Sequence, residues 1–298
     1  MSVSVVLQRV GELLEGPHWD EKSQCLYFID IKTPVVHQWN RTTDEHKKVV
    51  LQNVKTVTSV VGRKQGGLAV TVDQEYATLD FESGELKSLA KVDRHNPETR
   101  MNDGKCDAMG RYWAGTMGPE KVPTKVEPEL GTLYSLDKDC NVICHLSKIG
   151  ISNGMAWSSD NRTMYYIDTV TKQVDAFDFD LEGGRISNRR SIFKVPENKG
   201  YADGMCIDEE GKLWIALYFG TSVVRVDPQT GDILKLLELP VSCPTSCCFG
   251  GPDYDELYIT STHQYFTEEQ LKQEPLAGSV FKVTNLGVKG VPPHNFGG

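Results

Sequence analysis

The sequence predicts an all-β chain folded as one six-bladed β-propeller, with blades of about four antiparallel strands. Three observations lead there. A unit of constant character recurs six times, its copies stand about 45 residues apart, and no long amphipathic helix interrupts them. The unit begins with a small or polar residue followed by Gly or Ser. An apolar stretch comes next, then a turn with Asp or Gly, then a strand of aromatic and β-branched residues.

The copies are clearest at residues 15–20 (Glu-Gly-Pro-His-Trp-Asp) with the strand at Leu26, and at 102–107 (Asn-Asp-Gly-Lys-Cys-Asp) with the strand at Tyr112. Two more run from Asn153 to the strand at Met164 and from Asp203 to the strand at Leu213. Weaker copies run from Thr58 to Leu68 and from Thr245 to Leu257. The strand markers are separated by 42, 44, 52, 49 and 44 residues, a period that suits a four-stranded blade. The long third interval holds a polar, Pro-rich insertion, residues 118–131, expected to form a loop or lid on one face. The one short helix expected covers residues 267–273. The alternating N-terminal segment around Val3 to Arg9 is expected to pair with the last blade and so remove a free sheet edge. All 298 residues are read as one propeller domain.

Composition narrows the function. A net charge of −9 and the absence of any basic run argue against a nucleic-acid or anionic-membrane surface, since both need a basic face. No apolar run is long enough to span a bilayer, and the N-terminus has no basic, apolar and cleavage regions of a leader, so a cytoplasmic protein is expected. The eight cysteines form no disulfide framework and read as reduced, structural thiols. Cys140 and Cys144 have metal-like spacing but no partner set, and the seven histidines give no ligand pair.

In a propeller the turn entering the innermost strand of each blade faces its counterparts across the axis, and the first position of each unit is expected in that turn. These positions hold Glu15, Thr58, Asn102, Asn153, Asp203 and Thr245. Glu15, Asn153 and Asp203 together offer two carboxylates and an amide oxygen, a fitting donor set for one hard divalent cation. Asn-Gly and Asp-Gly are also favoured turn dipeptides, which would explain Asn153 and Asp203 but not Glu15. Two carboxylates buried at the axis without a cation would be costly.

The sequence resembles the regucalcin (senescence marker protein) and gluconolactonase family, which includes the insect luciferin-regenerating enzymes. The resemblance runs nearly end to end. It is carried by residues 15–19 (Glu-Gly-Pro-His-Trp), 100–105 (Arg-Met-Asn-Asp-Gly-Lys), 151–154 (Ile-Ser-Asn-Gly), 165–168 (Tyr-Tyr-Ile-Asp) and 186–190 (Ile-Ser-Asn-Arg-Arg), with 203–214, 245–251 and 286–290 in support. It implies a six-bladed propeller with one catalytic divalent cation on Glu15, Asn153 and Asp203. It also implies sugar-lactone hydroxyls held by Arg100, Asn102 and Glu120. The first motif departs from the Glu-Ser-Pro-Val-Trp usual in regucalcins and is similar to the luciferin-regenerating branch, which bears on the choice of substrate.

The expected function is metal-dependent hydrolysis of sugar lactones. A cation can polarise the lactone carbonyl and lower the pKa of bound water, and Asp203 is the candidate general base as well as a ligand. Two carboxylates and an amide suit calcium, although magnesium, manganese or zinc can occupy such a site. The expected partner is a small-molecule lactone, with no nucleic acid and no membrane, and a monomer is expected. Two alternatives stay open: a calcium-binding regulatory protein, although no EF-hand loop occurs, and a luciferin-regenerating-type enzyme. A propeller interaction platform would need no carboxylates at its axis. Asp30 and Asp168, which recur at matching positions, are expected to hydrogen-bond between blades.

Overall fold

In the computed structural model, which describes residues 1–122 and 124–298, six four-stranded antiparallel sheets stand around one axis. Each sheet runs outward from an innermost strand. These innermost strands are Leu14–Asp20, Val57–Gly62, Arg100–Cys106, Ser152–Trp157, Tyr201–Ile207 and Pro244–Gly250, for blades 1 to 6 in chain order. Each packs against the innermost strand of the next blade, and blade 6 packs on blade 1, so the ring closes. The N-terminal strand Ser2–Leu7 is the outermost strand of blade 6. It pairs antiparallel with Val280–Thr284, Val3 opposite Val283 and Val5 opposite Phe281, as the alternating pattern led us to expect. The closure is also side-chain deep. Trp19 of blade 1 stacks on Tyr258 of blade 6 with ring centroids 5.5 Å apart, and Arg41 grips Glu256 through two hydrogen bonds of 2.8 and 2.9 Å.

The core lies between the blades, where Trp19, Trp113 and Trp214 are fully buried. The expected helix is Glu268–Gln273, closed at its start by a capping box between Thr267 and Gln270. The insertion forms a hairpin of Glu120–Val122 and Lys125–Val126, Pro123 within it lying outside the described residues. Among the described residues all eight cysteines are free and six of them are buried. No described helix is long and apolar enough to cross a membrane.

Two expectations need correction. Asp30 and Asp168 do not bridge blades. Each accepts backbone N–H groups from the connector that enters its own blade, Asp30 from Glu12 and Leu13 and Asp168 from Gly150 and Ile151. The ring residues, moreover, are not in turns. Glu15, Thr58, Asn102, Asn153, Asp203 and Thr245 lie inside the innermost strands, at or beside a break in pairing register in every one of the six. Such bulges re-aim a side chain, here toward the axis. The Gly that follows serves close approach rather than a turn. A Cβ on Gly154 would stand 2.7 Å from the Asp203 carbonyl oxygen, and one on Gly204 would strike Ser246 Oγ at 2.0 Å.

Candidate active site at the channel mouth

The bulges bring Glu15, Arg100, Asn102, Asn153 and Asp203 to one pocket at the N-terminal ends of the innermost strands, and the insertion hairpin adds Glu120 and Thr124. All six site residues predicted from the sequence therefore line the same concavity.

Asn153 has the most tightly defined role in it. Its Nδ2 donates to Thr169 Oγ1 at 2.8 Å, and the single hydroxyl proton of Thr169 goes to the Ala202 carbonyl at 2.8 Å. Thr169 can then only accept from Asn153, which fixes the amide orientation. Asn153 Oδ1 is left buried and without a hydrogen-bond partner. A buried orphan acceptor is expensive and points to a missing donor or cation.

The carboxylates repeat the theme. Burial raises the pKa of Glu15 well above the ordinary value, and the nearby negative charges of Asp203 and Asp103 add to it. Burial likewise raises Asp203, with Asp103 as the next cause. Like charges held together in a dry pocket favour either a proton or a cation. Among the described residues no three His, Cys, Asp or Glu side chains gather as a metal cluster. The set is two carboxylates completed by an amide oxygen, an all-oxygen donor set that fits a hard divalent cation.

Arg100 is half-buried, and its Nη1 donates to the Met101 carbonyl and to Asn102 Oδ1 at 2.9 and 2.8 Å. Burial lowers its pKa, opposed by the charges of Glu120 and Glu15. Asn102 ties this guanidinium to blade 4, donating through Nδ2 to the Ser152 carbonyl at 2.8 Å. It thus braces Arg100 besides facing the pocket. Glu120 accepts from the Thr124 backbone N–H at 2.8 Å and from the Tyr265 hydroxyl at 3.4 Å, which joins the hairpin to the blade 6 loop over the mouth.

Sequence reasoning missed Thr169, Tyr218 and Gln264, which also line the pocket. Tyr218 had a findable signal. It stands where the second strand faces the start of the innermost one, the position of Asp30, Met117 and Asp168 in other blades. Aligning that second position as well as the first would have drawn Tyr218 in. Thr169 and Gln264 sit in connectors whose lengths differ between blades, so the repeat gives no register for them.

Comparisons with known proteins give the family and the fold. Residues 13–263 match the family model described as the SMP-30/Gluconolactonase/LRE-like region. Regucalcin of Gallus gallus is 44% identical over 299 aligned positions, covering 99% of both chains. A solved luciferin-regenerating enzyme superposes with a TM-score of 0.92 at 33% identity, covering 99% of each chain. A calcium-binding protein, regucalcin, from Agrobacterium tumefaciens superposes at 0.91 over 99% of this chain and 97% of its own, with 24% identity.

Proposed function

The chain belongs to the SMP-30/Gluconolactonase/LRE-like family, and from that premise we propose that it hydrolyses sugar lactones with the help of one divalent cation. The observation that supports this most is the buried, unpartnered Oδ1 of Asn153, in one pocket with the buried carboxylates of Glu15 and Asp203 and the Arg100 guanidinium. Glu15, Asn153 and Asp203 would hold the cation. When bound, it would supply positive charge to the lactone carbonyl oxygen and acidify water.

The remaining work falls to side chains of this chain. Asp203 accepts a proton as water attacks the carbonyl carbon. It returns that proton to the ring oxygen as the ester C–O bond breaks, leaving an open-chain hydroxy acid. Thr169 keeps the Asn153 amide turned with its oxygen inward. Arg100 has N–H groups beyond the two bonds it makes within the protein, and a guanidinium presents them in a fixed plane to sugar hydroxyls. Asn102 holds that plane in place, and Glu120 offers carboxylate acceptors from the insertion hairpin of the same blade.

Substrate variation tests the assignment of roles. Arg100→Ala and Glu120→Gln are expected to lower kcat/KM for gluconolactone by roughly ten-fold or more each, the worth of one charged hydrogen bond of about 1.5–3 kcal/mol. Hydrolysis of a plain aromatic ester and affinity for the cation should barely move. Equal losses on both substrates would make these residues supports of the site rather than readers of the sugar. No loss on either would remove them from substrate binding.

A further inference from the structure

The bulged innermost strands divide the axial channel in two. Their N-terminal ends face the pocket described above. Their C-terminal halves, with the loops that follow, enclose a separate and larger cavity of about 350 Å³ toward the opposite face. Its wall is mostly apolar, with Val61, Trp157, Ile207 and Phe249 from four different blades, and the tail segment around Pro292 lies across it. A volume of this size with apolar walls and few polar groups has the character of a small-molecule site.

Among the charged groups in the wall, one is placed to read a ligand. Lys105 is half-buried and its ammonium donates to the Met205 carbonyl at 2.5 Å, leaving two N–H donors. Among the described residues it forms no ion pair. Asp208 also lines the cavity, but its carboxylate is spent on Trp214 Nε1, Arg225 Nε and two backbone N–H groups. His18 is held neutral, its pKa lowered by burial to about 4, and its Nε2 accepts from the Gly62 N–H at 3.1 Å. Asp103, also in the wall, accepts the Gly104 N–H; burial raises its pKa, and the nearby Lys105 ammonium opposes that rise without a direct ion pair.

We propose that this second chamber binds a small, largely apolar molecule bearing one anionic group, with the anion on Lys105 Nζ and the apolar body against Trp157, Ile207 and Phe249. The ligand chemistry differs from that of a sugar lactone, and the assignment does not depend on the metal site. An ammonium in an apolar, half-dry setting favours a charge-assisted contact that a neutral ligand cannot make.

Two fluorescent probes of matched shape test this on the full chain. One is 8-anilinonaphthalene-1-sulfonate, which is anionic, and the other is N-phenyl-1-naphthylamine, which is neutral. The sulfonate should bind saturably at one site, undisturbed by calcium or gluconolactone. Lys105→Gln should weaken the sulfonate about ten-fold and leave the neutral probe unchanged, while Lys105→Arg should keep the sulfonate. Val291→Trp, at an exposed position in the wall, should weaken both probes without lowering the melting temperature. Sulfonate binding that is unsaturable, is displaced by lactone, or falls equally with the neutral probe in Lys105→Gln would overturn the proposal.

Discussion

Asp203→Asn should lower lactone hydrolysis by about 10³-fold or more and yet raise the melting temperature of the metal-free protein at pH 8. The first effect follows from losing a proton acceptor, a role worth about 10²–10⁴-fold, together with one anionic ligand. The second follows from electrostatics. Glu15 and Asp203 both have pKa values raised above the ordinary carboxylate range, by burial first and then by neighbouring negative charge. A group raised in the folded state contributes stability below its unfolded value, near pH 4 for a carboxylate, and that stability is lost as pH rises through the folded value. The metal-free protein should therefore weaken from these groups between mildly acidic and mildly basic pH. Asp203→Asn removes one of the repelling charges and should flatten that decline. Added calcium should stabilise the parent most at pH 8, where both carboxylates are ionised, and the variant far less. Thermal melts at pH 5 and 8, with chelator and with calcium, read all of this. A metal-free variant that melts below the parent at pH 8 would contradict it.

Asp208→Ala should cost about 3–5 kcal/mol of folding stability, a larger loss than any substitution at the channel mouth. Asp208 is fully buried at its side chain and satisfies four donors. Its Oδ1 accepts the backbone N–H groups of Glu210 and Lys212 at 3.0 and 2.9 Å. Its Oδ2 accepts Trp214 Nε1 at 2.9 Å and Arg225 Nε at 2.7 Å. Truncation strands an indole N–H and leaves a mostly buried guanidinium to the exposed Glu210 carboxylate, and breaking such a pair from one side carries a penalty of that size. Blade 3 repeats the arrangement, with Asp107 on Met109, Arg111 and Trp113. Asp107→Ala should cost a similar amount, and the two losses should add because the clusters lie in different blades. Denaturant unfolding measures both. A loss below about 1 kcal/mol for either would show that water or rearrangement replaces the carboxylate.

The fold was legible because a propeller repeats its physics. Each blade must bury the same face in the same way, so Leu26, Tyr112, Met164 and Leu213 mark equivalent strands at near-constant spacing. Glu15, Asn102, Asn153 and Asp203 were singled out for the same reason, since the ring closes equivalent positions onto one axis, whereas Arg100 and Glu120 came from the family resemblance and not from the repeat; all six line one pocket. What the residues did not disclose was how Glu15, Asn153 and Asp203 are aimed. Asn-Gly and Asp-Gly read as turns, whereas the glycines admit the neighbouring blade and the bulges direct the side chains. Asp30 and Asp168 misled in a related way. Their recurrence was visible, but whether a carboxylate at a strand end reaches its own connector or the next blade depends on backbone N–H groups that sequence does not display. Lys105, three residues after Asn102, could not be separated from it until the bulge set Asn102 in the channel-mouth pocket and Lys105 in the opposite chamber.

The account stands on one cation shared by Glu15, Asn153 and Asp203, and calorimetric titration of calcium into metal-stripped protein tests it most directly. Parent protein should bind one equivalent. Glu15→Gln, Asn153→Ala and Asp203→Asn should each weaken that binding by at least about ten-fold, whereas Arg100→Ala should leave it unchanged, and hydrolysis of gluconolactone should rise in step with occupancy of the site. Binding that survives all three substitutions, or full lactone hydrolysis by chelator-treated protein, would contradict it.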